Sequence, residues 1–400
     1  MSIDAIVAGH LCLDVIPDLS AIDAGDFSRA FAPGRLLQVG AVSFSTGGPV
    51  ANVGLALHKL GLGVKLMGKV GDDLFGQAIH QGIACYDPAL TDGMIIDPAA
   101  ASSYTIVITP PGSDRFFLHC PGANDTFGAE DVRYDLLPAA RLFHFGYPPL
   151  MRRMYEDGGA QLAEILRRAK ATGFTTSLDM ALPDPASAAG RADWPRICAQ
   201  VLPYVDIFLP SLEEILFMLR RPTYAAMQQV AGRTDILPLV TPDLLTDLSE
   251  QLLAMGARVV GLKLGERGLY LRTAGERAMA GLGRARPSDP AAWADKELWA
   301  PCFKVKLVGA AGSGDSTIAG FLAGLLRGLS PEATVTAAVA VGACNVEAAD
   351  TLSGLRSWEE TTARVAAGWE RHPLGISAGG WRFEEGWGCW VSSPGNGQGA

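Results

Sequence analysis

The sequence predicts an α/β fold in which a mainly parallel sheet is covered by helices and carries a small accessory β-sheet. Short apolar runs alternate with amphipathic stretches through most of the chain, the order produced when crossover helices return each strand to one sheet. Two segments, residues 12–46 and 92–122, break this rhythm with β-rich pieces of their own. A 48% hydrophobic content over 400 residues supplies the side chains for a sizeable core.

Taken in order, residues 5–9 read as the first strand; Asp4 and the lack of a basic stretch argue against a signal peptide. Residues 12–46 then leave the main sheet. From Gly47 a glycine turn leads into PVANVGLALHKLG, where Val50, Val53, Leu57 and Leu60 recur at helical spacing and Gly61 supplies the stop. VKLMGKVG follows as a strand, and Asp72 and Asp73 read as N-terminal capping of the next helix. In 92–122, MIID, SYTIVITP and RFFLHC surround a PPGSD turn. This segment and 12–46 leave from the same end of early strands, which places them together as a lid over a cleft. Further strand–helix units are read at 142–145, 174–179, 205–210 and 258–264, and 275–301 reads as loop. VKLV at 305–308 reads as a strand entering a helix near Asp315, with Ile318, Phe321, Leu322, Leu325 and Leu326 on its buried face. A domain over 1–375 is followed by a Trp- and Gly-rich tail, 376–400, whose Trp381, Trp387 and Trp390 are expected to dock on the body or on another subunit.

The formal net charge of −9 is spread without long blocks, so no broad basic face is expected to attract nucleic acid. A phosphate site must then be built locally, from backbone amides or a metal. The 47 glycines and 25 prolines make a loop-rich chain, below the roughly 25–30% that marks low complexity. Seven cysteines without a C-x-x-C pair argue against a disulfide framework or a structural zinc site and suit a reducing cytoplasm. The most apolar helical stretch, 318–326, falls far short of the roughly 20 residues that span a bilayer, so no membrane anchor is expected.

Chemistry concentrates at VKLVGAAGSGDSTIAGFLAGLLRG. Gly309, Gly312 and Gly314 let backbone N–H groups converge on an anion, and the helix start adds partial positive charge. A carboxylate at Asp315 beside such a cradle suits deprotonation of an attacking hydroxyl. The alternative is that Asp315 merely caps the helix. There is no G-x-x-x-x-G-K-[ST], and no G-x-G-x-x-G opens a helix after an early strand.

With GGPVANVGLALHKLGLGVKLMGKVGDDLFGQ at 47–77, PSLEEILFML at 210–219, LKLGERGLYL at 262–271 and GSGDSTIAGFLAG at 312–324, the chain resembles the ribokinase (PfkB) family of carbohydrate kinases over roughly residues 4–365. The resemblance implies a ribokinase-like three-layer α/β/α sandwich with a small β-sheet lid, and ATP-dependent phosphorylation of a sugar hydroxyl. It makes Asp315 the general base and Gly312, Ser313 and Gly314 the anion hole. Asp14, Gly47, Gly48 and Asn52 become the sugar grip. Ser211, Lys263, Gly265 and Gly268 fall on the nucleotide side, with Gly342 and Asn345 completing the adenine pocket, and Glu214 influences Mg²⁺ through water. The partners implied are ATP, Mg²⁺ and a small-molecule sugar, with a homodimer possible through the lid. Gly309-Ala310-Ala311 stands where the family has D-T-T, which argues against potassium activation, and Ser211 stands where it has asparagine. His119, Asn124, Tyr147 and Arg152 are specificity residues or plain polar groups. The alternatives are a nucleoside or sugar-phosphate kinase, for which Arg115, Arg152 and Arg153 would bind the phosphate, and a non-catalytic sugar- or nucleotide-binding relative.

Overall fold

The structure, a computed structural model, describes residues 3–22, 33–34, 36–110, 116–232, 235–376 and 379–392. In chain order the strands are β1 (Ala5–Gly9), β2 (Cys12–Pro17), β3 (Val42–Gly47), β4 (Val64–Met67), β5 (Lys69–Gly71), β6 (Ile95–Asp97), β7 (Tyr104–Ile108), β8 (Phe116–Cys120), β9 (Leu142–Gly146), β10 (Thr175–Leu178), β11 (Ile207–Phe208), β12 (Val259–Lys263), β13 (Leu269–Thr273), β14 (Glu297–Ala300), β15 (Trp381–Glu384) and β16 (Cys389–Ser392).

Ten of them form one sheet in the order β15-β16-β14-β13-β12-β11-β10-β9-β1-β4. From β4 to β12 the pairing is parallel; from β12 to β15 it is antiparallel. β1, β9 and β10 are buried along their whole length, as strands covered on both faces must be. Alternate side chains of β1 enter two separate cores. Ala5 and Val7 join the core with the helices Pro49–Lys59, Ser313–Leu326 and Pro331–Asn345, whereas Ile6 and Ala8 join the core with Ala160–Ala171, Leu212–Leu219 and Pro242–Ala254. Two cores on opposite faces make the three layers.

A second sheet, β3-β2-β7-β8, stands apart from the first. One face, with Asp14, Ser45, Thr105 and His119, turns toward the cleft. In register on the other face are Val15, Phe44, Ile106 and Leu118. Phe44 and Leu118 are 58% and 56% exposed.

Four local expectations are corrected. VKLMGKVG breaks at Gly68 into β4 of the main sheet and β5 of a separate two-stranded sheet. Within MIID, β6 pairs with β5 in a two-stranded sheet and lies outside the lid. VKLV forms no strand: no strand runs beside it, Val308 and Gly309 donate instead to Val346 O, and Leu307 and Val308 stay largely exposed. The 275–301 stretch contains β14, held by β13 and β16, because Leu298, Trp299 and Ala300 had core to fill. Residues 379–392 form a hairpin that extends the main sheet, with Trp390 opposite Trp299 and Cys389 fully buried. Among the described residues no helix is long and apolar enough to cross a membrane.

Candidate active site

Because β1, β9, β10, β11 and β12 run parallel, their carboxyl ends open on one edge of the sheet, where ligand clefts of open α/β folds form. His10, Tyr147, Asp179 and Ser211 follow these strands, and Lys263 ends the last.

Opposite them stands the start of the Ser313–Leu326 helix. Gly312 precedes it at φ 70°, and a Cβ there would lie 2.9 Å from Thr351 Cβ, so both backbone and space require glycine. The first-turn N–H groups of such a helix lack intrahelical acceptors. Asp315 sits in this turn, only 2% exposed, and makes no cap. The capping alternative is thereby excluded. Its Oδ2 accepts from Asn52 Nδ2 at 2.8 Å, and Tyr147 OH donates to Oδ1 at 3.0 Å and to Oδ2 at 3.2 Å. Burial raises its pKa above the ordinary carboxylate value, against the pull of Asn52, Lys263 and Tyr147.

Asp14, Gly48, Asn52, Gly312 and Asp315 line a single cavity of roughly 840 Å³. Asp14 reaches it from β2, and a Cβ on Gly47 would strike the Asp14 carboxylate at 2.6 Å, so the tight glycine pair lets the lid strand and the 49–59 helix meet. The cavity wall also carries His10 and His119, whose Nε2 atoms lie 3.3 Å apart, and His119 Nδ1 lies 3.0 Å from Thr105 Oγ1. Burial lowers the His10 pKa to about 3, helped by His119, and burial also lowers that of His119, so both rings are neutral. His10 Nδ1 and Asn52 Oδ1 are buried without a hydrogen-bond partner, which leaves them for a ligand.

Of the other polar residues singled out in the sequence, Tyr147 lines this cavity too. Asn124 is fully buried and holds Leu11 N and Leu11 O, a structural duty. Arg152 pairs with Glu156 at an exposed site, Arg153, partly buried, pairs with Glu130, and Arg115 lies outside the described residues.

On the nucleotide side, Lys263 Nζ bonds Asp179 Oδ1 at 2.6 Å, and its Cε would lie 3.6 Å from a Cβ on Gly314. Burial works against the Lys263 ammonium, yet Asp179 and Glu214 more than offset this and hold its pKa above the ordinary lysine value. Burial pushes Asp179 upward; Lys263 opposes that, and Glu214 and Asp315 add to it. These directions compete within one pair, and the charged ammonium is the firmer state because one lysine serves three carboxylates. Ser211 bridges to Lys263 and forms a capping box with Glu214, whose Oε2 accepts from Ser211 N at 2.7 Å. Gly265 and Gly268, at φ 52° and 93°, make the tight turn between β12 and β13, with Gly268 pressed against Ala300 O and Gly265 facing Leu237. Gly342 packs on Thr317 and Ser313 O, and Asn345 is fully buried with Nδ2 donating to Thr351 O at 2.6 Å.

For a magnesium nucleotide the fit is with the phosphates first: the helix start, where Ser313 N–H donates only a long 3.4 Å bond to Ala310 O, and the Lys263 ammonium suit anions, and Asp179 Oδ2 is buried without a protein partner. Among the described residues no three His, Cys, Asp or Glu side chains converge to hold a metal alone. A bound Mg²⁺ would therefore take most of its ligands from phosphate and water.

His10 and Asp179 were missed in the sequence. Both directly follow a strand that the sequence does mark, and the carboxyl-end rule would have found them.

Comparison with known proteins bears on the fold and the family. The chain is 28% identical over 165 residues to a fructokinase of Solanum tuberosum, covering 41% of this chain and 48% of the relative. It is 28% identical over 212 residues to a probable chloroplastic fructokinase of Arabidopsis thaliana, covering 52% and 51%. It thus spans about half the length of these curated relatives. Among solved structures, a ribokinase of Thermotoga maritima superposes with a TM-score of 0.63 at 19% identity, covering 91% of this chain and 99% of the other. A fructokinase with bound ATP from Xylella fastidiosa gives 0.66 at 20% identity, covering 91% and 98%. These likenesses establish a ribokinase-like fold. Because the model of the pfkB family of carbohydrate kinases matches residues 13–358, nearly the whole of the two-sheet body, the chain belongs to that family.

Proposed function

We propose that this chain is an ATP-dependent sugar kinase in which Asp315 takes the proton of the acceptor hydroxyl. The observation that carries the reading is one buried carboxylate that shares a cavity with Asp14 and Asn52 and stands in the first turn of a glycine-led helix. Asp14 accepts and Asn52 donates to sugar hydroxyls, and His10 Nδ1 and Asn52 Oδ1 offer two further bonds. The N–H groups of Gly312, Ser313 and Gly314, with Lys263, hold the charge of the transferring phosphoryl group. Glu214 would act on a Mg²⁺ bound with ATP through water, and that ion would supply charge neutralisation at the phosphates. Gly265 and Gly268 let the nucleotide approach the β12–β13 turn, and Gly342 and Asn345 support the adenine end from within the helix. A lid of β2, β3, β7 and β8 closes over the cavity and excludes water. Its outer face, with Phe44 and Leu118, is covered by a second copy of the chain. Seven free cysteines suit the reducing cytoplasm.

The sugar is neutral. No Lys or Arg lines the cavity among the described residues, and Arg152 and Arg153 are committed elsewhere, which weighs against a sugar phosphate. A nucleoside is the second reading, favoured by Phe117, Leu150, Tyr155 and Leu182 on the same wall.

A panel of sugars, sugar phosphates and nucleosides incubated with labelled ATP and Mg²⁺ tests this. Transfer of label to a neutral sugar or nucleoside is expected; binding of several compounds with transfer to none would favour a non-catalytic relative.

A further inference from the structure

Tyr147 is held where a tyrosine resists being held. Its backbone is left-handed, φ 59° and ψ 46°, a region that non-glycine residues seldom occupy, and it precedes Pro148, which disfavours helical geometry in the preceding residue. The surroundings enforce this. Gly146, which ends β9, lies so close to Pro49 that a Cβ would come within 2.4 Å of its ring, and a Cβ on Gly9 would strike Gly146 O at 2.4 Å. The Pro148–Leu150 turn follows at once and is buried at both prolines. Strain kept at the mouth of a cleft needs something to keep it, and the phenol supplies the reason: it reaches both oxygens of Asp315, 168 residues away.

We infer that Tyr147 is a positioning residue for the base, locking the Asp315 carboxylate by bonds to both oxygens so that one lone pair of Oδ1 faces the acceptor hydroxyl. The inference rests on the reading of Asp315 as base. Asn52 already takes Oδ2, so the two donors together fix the rotation of the carboxylate, which neither does alone. Burial, followed by Asp315, Asp179 and Glu214, raises the phenol's pKa well above the ordinary tyrosine value, so it remains a donor at every working pH. The titratable groups facing Asp315 or its cavity are Lys263 from β12, Asp179 after β10, Glu214 from the 212–219 helix, Cys12 and Asp14 from β2, His10 after β1, His119 from β8, and Tyr147 itself. Of these, Tyr147 is the one that both bonds the carboxylate and can be changed to an isostere without a change of charge.

The test uses the full chain, labelled at aspartate carboxyl carbons, with the Asp315 resonance identified by its loss in D315N. In Tyr147→Phe, which keeps the ring, the Asp315 titration should move upward by about one pH unit, because a hydrogen bond favouring the ionised form is gone. With MgATP and the acceptor found by the panel, tried first as D-fructose and D-ribose, kcat at neutral pH should fall about tenfold or more while KM stays within about twofold. Tyr147→Gly relieves the backbone and should show the same kcat loss, which assigns the effect to the phenol. An unmoved Asp315 titration in Tyr147→Phe overturns the inference, as does a harmless Tyr147→Phe beside a damaging Tyr147→Gly. Full activity in D315N would instead overturn the reading of the base, and the titration result would stand apart from it.

Discussion

Two histidines, His10 and His144, lie fully buried and neutral, the second with Nδ1 3.0 Å from Ser177 Oγ. Burial lowers both pKa values to about 3, with His119 adding to the effect at His10 and Lys263 at His144. Because each folded pKa lies below the unfolded one near 6.5, the unfolded chain binds more protons between these values, and stability is lost as pH falls through that window. Each histidine contributes about 1.4 kcal/mol per pH unit there. His144→Leu, remote from the cavity lining, should flatten the acid limb of a urea-stability profile by about that slope; an unchanged slope would mean the ring is protonated in the fold. Asp315 has the opposite sign. Its raised pKa means that stability is lost as pH rises through it, so D315A should gain on the wild type in the same direction. At this scale the sequence was only half legible. Asp315 and Asn52 stand in motifs, but the Lys263–Asp179 pair joins residues 84 apart and the Tyr147–Asp315 bond residues 168 apart, and no local pattern records either.

The start of the 313–326 helix and the lid are the elements that make the site. Gly312→Ala places a side chain at φ 70° and against Thr351, costing at least about 1 kcal/mol and shifting the first-turn N–H groups. Its kcat should drop more than its Tm change would suggest, and a variant with reduced Tm and full kcat would speak against an anion hole there. The lid carries an exposed apolar face, so Phe44→Glu with Leu118→Glu should leave a monomer by light scattering; if the wild type is itself monomeric at micromolar concentration, the dimer proposal fails. Helix 313–326 was readable because period and glycines agree. VKLV was misread because a β-like run becomes a strand only when another strand offers its hydrogen bonds, and here Val346 O takes the N–H groups. β14 was missed because its four residues are too short for any period to register.

Across the whole molecule, the alternation of apolar and amphipathic segments marked the parallel half of the sheet, since β1 and β9, buried on both faces, read as apolar runs, while β10 buries the polar run Thr175-Thr176-Ser177 before Leu178. The far antiparallel edge was not readable in that way, because β14, β15 and β16 depend on their neighbours for partners. Trp381 lies 6.3 Å from Tyr270, and Trp390 covers Trp299, so removing residues 377–400 should uncover the β14 edge and lower Tm by several degrees; an unchanged Tm would make the hairpin dispensable to the body. The account as a whole stands on proton transfer at one carboxylate beside amide-held phosphate. The most direct measurement compares kcat with the sugar dissociation constant in the wild type and in D315N. A fall in kcat of about 10² or more with the dissociation constant nearly unchanged is the predicted result. Undiminished turnover in D315N would contradict the account.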